Sequence, residues 1–478
     1  MSESFDLVKH IEPQFQAQLK EPQPDWLRAL RKTAWQLFSE HGVPNRKHEE
    51  WKYTPTRTLA RTPFVQSAPP QQGQIEALGQ SAFVNSNPTL GANTSASGAA
   101  LRVVLWNGHI CAALSSFQDV ASGANAGNGV QLLRLSEILR DPEHTAHAHV
   151  RQALSTACDR LSGHPLDALN FAMFREGVWL HVSKQVQAET PIEILYAGNA
   201  EQQPVLGAFR TMVHVEAHAE ATLVERFVGV GEITEQPYFS NHSTALFVDE
   251  GAHLRHYKVQ EEHTHAYHMA MTRVHQKANS NFTNIAVSFG GKVARHEVES
   301  LLDGQNIETT LDGLYVVDGN RFIENRTFLD HAKPHCNSFE LYKGLLFDQG
   351  RGAFNGKILV RQDAQKTDAK QSNQSLLLSD DAQIFAKPQL EIYADDVKCT
   401  HGSTTGSLDA QSLFYARSRG IPQEMAKGML TYAFANAVLE TIQVPVLREQ
   451  LHHKLATFCG GGGVHIEQIA EEAQSSSE

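Results

Sequence analysis

The sequence predicts a mainly β protein whose core is a β-helix, or solenoid, flanked by N-terminal and C-terminal helical segments. Two features of residues 177–401 carry this expectation. Short runs of β-type residues, such as Ile192-Glu193-Ile194-Leu195-Tyr196 and Thr211-Met212-Val213-His214-Val215, are separated by polar turns, with few helical patterns between them. A turn unit also recurs: an acidic residue, often with Gly, then a polar step and a hydrophobic residue expected to point inward. It is found at Glu250-Gly251-Ala252-His253-Leu254, Asp303-Gly304-Gln305-Asn306-Ile307, Asp318-Gly319-Asn320-Arg321-Phe322, Asp348-Gln349-Gly350-Arg351-Gly352-Ala353-Phe354 and Asp380-Asp381-Ala382-Gln383-Ile384. Stacked short strands that bury successive inward residues are the mark of a solenoid. The uneven spacing of the unit keeps a large β-sandwich as the alternative.

The remaining elements follow in chain order. Residues 1–65 read as a helical segment: Trp26, Leu30, Ala34, Leu37 and Phe38 recur at helical spacing behind Asp25, a candidate N-cap, and Gly42 and Pro44 stop the helix. The aromatic stretch Trp51-Lys52-Tyr53-Thr54-Pro55 follows. Residues 66–100 are rich in Ser, Ala, Gly, Pro, Asn and Gln, a linker composition. Residues 101–176 mix a strand at Leu101-Arg102-Val103-Val104-Leu105-Trp106, an Asn107-Gly108 turn and a helix over 146–161. The β core is assigned to 177–402 and a helical segment to 403–478. In the latter, Asp409 caps a helix holding Leu413, Phe414 and Arg417, and Gly420 ends it. Pro422 then precedes a helix whose buried face is Leu430, Phe434, Ala437, Val438 and Thr441. Pro445 closes that helix, and residues 460–463 and 475–477 read as a loose tail.

Composition narrows the function. At 478 residues the chain has room for about three domains, each with its own core. A net charge of −12 repels phosphate, so nucleic acid is not an expected partner. The five cysteines, Cys111, Cys158, Cys336, Cys399 and Cys459, are scattered and form no CxxC pair, which argues against a disulfide framework. The start carries no export signal and no run is long and apolar enough for a membrane span, so a cytoplasmic location is expected. The phosphate-binding patterns GxxxxGK[ST] and GxGxxG are absent, and so are the GxSxG, HExxH and EF-hand patterns. No ATP is expected on this chain.

One compact constellation remains, Asp395-Asp396-Val397-Lys398-Cys399-Thr400-His401-Gly402. On a strand, Cys399 and His401 project from the same face, where thiolate and imidazole suit a soft or borderline metal. Two ligands are half a site, so a partner would have to complete it. A buried cysteine beside a surface histidine is the plainer alternative. His335-Cys336 is weaker, because adjacent strand residues face opposite ways. The histidines 253, 256, 263, 265, 268 and 275 are close in sequence but irregularly spaced, and read as a solvated or packed set more readily than as a metal cage.

The stretch from Lys387-Pro388-Gln389-Leu390-Glu391-Ile392-Tyr393 through Cys399-Thr400-His401-Gly402, followed by Leu413-Phe414-Tyr415-Ala416-Arg417-Ser418-Arg419-Gly420-Ile421, resembles the core of the SufB/SufD family of iron–sulfur cluster assembly proteins. Upstream, Asn355-Gly356-Lys357-Ile358, Lys366-Thr367-Asp368 and Asn373-Gln374-Ser375-Leu376-Leu377-Leu378 extend the resemblance to at least residues 177–442. Glu49-Glu50-Trp51-Lys52-Tyr53-Thr54 and the histidine at 401 are similar to the SufD branch rather than the SufB branch. The linker is longer than the family pattern needs.

The resemblance implies a right-handed parallel β-helix and a non-catalytic scaffold. Such a scaffold pairs with SufB through its β-helix strands and docks the ATPase SufC on its C-terminal helices, at Leu413, Phe414, Arg417, Leu430 and Phe434. It also implies a transient iron or iron–sulfur cluster shared with SufB, with His401 the stronger contributor and Cys399 the second. The resemblance leaves room for reduced flavin in the complex and for a homodimer of the isolated chain. The competing readings are a β-helix enzyme acting on a polysaccharide through Asp303, Asp312 and Asp318, and a metalloenzyme built on the 253–275 histidines.

Overall fold

The computed structural model describes residues 5–81, 83, 101–116 and 129–460. Two ten-stranded sheets face each other across a shared interior. The first passes from Val130–Arg134 through Glu176–Val182, Val205–Val215, Tyr238–Val248, Tyr267–Gln276, Val293–Leu302, Phe322–His331 and Arg351–Val360 to Gln383–Ile392, with Val65–Gln66 paired beside Val205–Val215. The second passes from His109–Ile110 and Arg102–Trp106 through Ile192–Gly198, Glu220–Gly229, His253–Glu261, Asn281–Ser288, Glu308–Val317, Asn337–Leu346 and Asp368–Leu377 to Lys398–Gly406.

Through the core the chain changes sheet at every strand, and the pairing between coils is parallel. Among the described residues, antiparallel pairs occur only where the solenoid begins, between Arg102–Trp106 and His109–Ile110 and between Val130–Arg134 and Glu176–Val182. The predicted parallel β-helix is therefore the fold, and the sandwich, which needs antiparallel sheets, is not. Its strands begin earlier than residue 177 and run past 402: Arg102–Trp106 and Val130–Arg134 already belong to the two sheets, and the last strand ends at Gly406.

The coil length explains the irregular turn spacing. Val293 pairs with Phe322 and Phe322 with Arg351, 29 residues apart in each case, but Tyr267 pairs with Val293 after 26 and Val205 with Tyr238 after 33. The extra residues are taken up in the corners. Where the chain leaves the first sheet for the second, one residue per coil is left-handed: His218, Gly251, Asn279, Asn306, His335 and Lys366. The amides of His218, Gly251, Asn279, His335 and Lys366 donate to a carbonyl of the next coil, as His335 does to Gln365 at 2.9 Å. The turn units at Glu250 and Asp303 lie at this corner, whereas those at Asp318, Asp348 and Asp380 lie at the opposite one. The recurring unit is therefore two interleaved series, one at each corner.

Alternation along each strand sends one set of side chains into the interior and the other outward. Leu254, Ile307 and Phe354 point inward as expected, and Ile384 packs there half-buried. Phe322 does not: its neighbour Ile323 takes the interior place, and Phe322 packs outward beneath the N-terminal layer. One residue along a strand reverses the face.

That N-terminal layer covers the outer face of the first sheet. It comprises the helices Leu7–Leu19, Asp25–His41, Leu135–Arg140, His147–Asp159 and Pro165–Met173. Asp25 lies in the first turn of its helix, with Pro24 at the cap, and the buried face is Leu27, Arg31, Ala34, Trp35 and Phe38. Polar clamps fix the layer: Asp167 pairs with buried Arg210 and Arg273, and Asn170 donates to the carbonyls of Phe209 and Asn241 at 3.1 and 2.7 Å. The segment expected as a linker holds a helix, Gln72–Gln80, started by a capping box between Gln71 and Gln74 and anchored by Leu78 against Val104 and Trp106. Residues 82 and 84–100 of that expected linker, and the expected tail beyond Gly460, lie outside the described residues.

The helices Gln423–Leu439 and Pro445–Cys459 cover the outer face of the second sheet. The first buries Ala426, Gly428, Thr431, Ala435, Val438 and Leu439, so of the face expected from spacing only Val438 is fully buried. Small residues face the sheet because the helix backbone lies close on Glu308–Val317 and Asn337–Leu346. No helix among the described residues is long and apolar enough to cross a membrane.

Candidate functional site at the open end of the solenoid

Lys398–Gly406 is an edge strand, paired on one side with Asp368–Leu377. Every residue in it is exposed except half-buried Cys399, whereas strands in the middle of the same sheet are buried almost throughout. The last strand of the first sheet, Gln383–Ile392, ends beside it with Ile392 and Tyr393 exposed at 40% and 64%. Unpaired backbone along both strands is a template for another chain.

Cys399 and His401 register on Ala369 and Gln371, which face the interior, so both side chains project on the lumen side of the edge. Cys399 packs against the interior cluster, and burial raises its thiol above the ordinary range. His401 is solvent-exposed. Behind it the same register line continues through Gln371 to Glu340, a fully buried carboxyl. Burial pushes Glu340 up to about 7, despite hydrogen bonds to Oε2 from Thr327 at 2.7 Å and Gln371 at 3.2 Å. Among the described residues no third His, Cys, Asp or Glu completes a metal site with Cys399 and His401.

The other sequence candidates are dispersed. Asp303 precedes and Asp318 follows the strand Glu308–Val317, so they sit at opposite corners, separated by a ten-residue strand of roughly 33 Å. Asp312 is buried on the strand's outer face, where burial raises it to about 6. These three carboxylates therefore form no pair for glycoside chemistry. Cys336 is in the interior, its Sγ 3.1 Å from the carbonyl of Gly304, while His335 occupies the corner.

The 253–275 histidines split between inside and outside. His275 pairs outside with Asp303 at 3.2 Å. His256 and His268 are internal, in a polar network that the sequence reading missed. Nε2 of His256 lies 2.8 Å from Glu225, which also accepts from Tyr196 at 2.7 Å. His268 joins Glu262 at 2.8 Å to Lys258 at 2.7 Å. Burial lowers Lys258 to about 8, opposed by both carboxylates. The only sequence signal was a polar residue at alternate strand positions, as in His256-Tyr257-Lys258-Val259-Gln260, which reads as a solvated face until the strand is known to line a lumen.

Of the docking candidates, Phe414 is 73% exposed and Arg417 is exposed, on the helix Ala410–Ser418 capped by Asp409. Leu413 is half-buried, lining a groove of about 890 Å³ with Leu378, Thr405 and Lys427. Leu430 is also half-buried. Phe434 packs toward the solenoid, with Lys343 4.5 Å from its ring centre and donating to its carbonyl at 2.9 Å.

A two-sheet parallel solenoid with a helical layer on each outer face and one end uncovered among the described residues is the class of fold. Residues 196–434 match the family described as SUF system FeS cluster assembly, SufBD core domain. The chain belongs to the SufB/SufD family of iron–sulfur cluster assembly proteins. It is 31% identical over 426 residues to the iron–sulfur cluster assembly protein SufD of Escherichia coli, covering 88% of this chain and 90% of that one. It is 27% identical over 428 residues to a SufBD-family iron–sulfur cluster assembly protein of Synechocystis, covering 88% of each. With SufD of Bacillus subtilis it shares 25% over 306 residues, covering 61% of this chain and 66% of that one.

Proposed function

We propose that this chain is a non-catalytic, cytoplasmic scaffold subunit of a SUF-type complex. It pairs with SufB through the open solenoid end and carries the ATPase SufC on its C-terminal helices. Iron or a nascent cluster is the cargo, held between His401 and Cys399 on this side and donors of SufB on the other. The observation that carries the reading is the uncovered edge strand Lys398–Gly406, which presents two metal-ligand side chains on one face without a third donor. A thiolate and an imidazole suit iron, and the missing donors make the site a shared one. Phe414 and Arg417 supply the exposed apolar and cationic contacts for the ATPase; Phe434, engaged by Lys343, holds its helix to the solenoid instead.

The test is co-expression with SufB and SufC. His401→Ala should leave folding and assembly intact and lower the iron content of the purified complex severalfold. Cys399→Ala should match that loss if its thiol is a ligand, and fall short of it if the thiol only packs. Wild-type iron content with alanine at both positions would remove the site. Truncation after Gly406 should abolish ATPase binding while sparing SufB pairing, and retained ATPase binding would move that surface elsewhere.

A further inference from the structure

On the outer face of the first sheet, near the opposite end of the solenoid, a second set of donors converges. His181 on Glu176–Val182 and His214 on Val205–Val215 are register partners on adjacent strands, with ring centres 5.6 Å apart. Glu216 follows His214 by two residues. One donor atom from each of the three lies within 4.8 Å of the others. Their side chains are 20%, 14% and 34% exposed, held by their surroundings yet open to an ion from solvent.

Ordinary ion pairing accounts for part of this. Nε2 of His181 lies 3.1 Å from Glu216, and Nε2 of His214 lies 2.9 Å from Asp249. Separate pairs do not require both rings and Glu216 to meet at one point. Two imidazoles and a carboxylate are the donor set of open zinc and mononuclear iron(II) sites. Asp249 then occupies the place of the outer carboxylate that orients a metal-bound imidazole. It is itself fixed by Lys277 at 2.8 Å, and the second oxygen of Glu216 accepts the Lys184 amide at 2.8 Å. The set contains no thiolate, so it suits a single ion and not a cluster.

We infer that His181, His214 and Glu216 form a mononuclear site for a divalent first-row transition ion, with Asp249 as a positioning residue on His214. The site is independent of the open end. Val205–Val215 and Gln383–Ile392 are six strand steps apart in the first sheet, roughly 29 Å.

The metal-free full-length chain should be titrated with Co²⁺, whose visible spectrum reports coordination, followed by competition with Zn²⁺ and Fe²⁺. One Co²⁺ per chain should bind with ligand-field bands. His181→Ala, His214→Ala and Glu216→Gln should each weaken binding by more than about tenfold, and Asp249→Asn by about tenfold. His401→Ala should leave binding unchanged. Zn²⁺ should raise the melting temperature of the wild type but not of Glu216→Gln, a near-isosteric change that decides the matter if an alanine variant misfolds. The same bands and affinity in a variant lacking all three donors would assign the binding to other histidines and overturn the site, and so would an absence of bands in the wild type.

Discussion

Where the solenoid begins, its outermost strands are short and covered. His109–Ile110 has two residues and Val130–Arg134 five, and the helix Gln72–Gln80 lays Leu78 over Val104 and Trp106. Where it finishes, the outermost strands have ten and nine residues, and Ile392 and Tyr393 face solvent. Both ends meet the same physical problem, unpaired backbone at a sheet edge. The first is answered within the chain. The second has no cover among the described residues, and it is the end that carries Cys399 and His401.

The comparison can be broken most directly at the covered end. Trp106→Ala removes a large buried side chain and should cost about 3 kcal/mol of stability in chemical denaturation. A change below about 0.5 kcal/mol would mean that this cover is incidental.

An intermediate effect concerns how dry the lumen stays behind the open edge. The raised Glu340 favours its neutral form in the folded state, so its contribution is fully present below about pH 4.5 and is lost as pH rises through about 7. Stability measured from pH 5 to 7.5 should therefore fall with pH, and less steeply in Glu340→Gln. Equal slopes would place water against Glu340, two strands in from the edge.

The smallest effect belongs to the open end itself. Tyr393→Ala should change the stability of the isolated chain by less than about 0.5 kcal/mol, yet weaken pairing with SufB in a pull-down or sedimentation assay. A large loss of stability with unchanged pairing would reverse the roles assigned to the two ends.

Much of this was legible in the sequence and some was hidden for definite reasons. The solenoid showed in the short strands, and the hairpin at Asn107-Gly108 in the preference of both residues for positive φ, found at 46° and 86°. The corner column was masked because its left-handed position is filled by His218, Gly251, Asn279, Asn306, His335 and Lys366, which share a conformation and no side-chain chemistry. Spacing placed Cys399 and His401 on one face, because a strand alternates with period two. It did not bring His181 and His214 together, since their adjacency depends on a coil of 33 residues that only the register reveals. Pattern also misjudged the helix Gln423–Leu439, where close approach to the sheet selects Ala, Gly and Thr over the larger residues that mark an amphipathic stripe.

The segment around Trp51 changes how such a molecule should come apart. Trp51 lies 3.7 Å beneath the Arg295 guanidinium, Thr54 bonds to Glu324, Tyr53 stacks on Phe385 at 4.6 Å, and Glu49 meets Lys387 at 2.7 Å. These partners lie on Val293–Leu302, Phe322–His331 and Gln383–Ile392, coils that do not all touch one another. A simple solenoid unravels coil by coil, each held only by its neighbours. Here a strap from the start of the chain ties the final coil to earlier ones, so fraying at the exposed edge must also release the N-terminal layer. The last coil therefore melts with the body of the protein, in one cooperative transition.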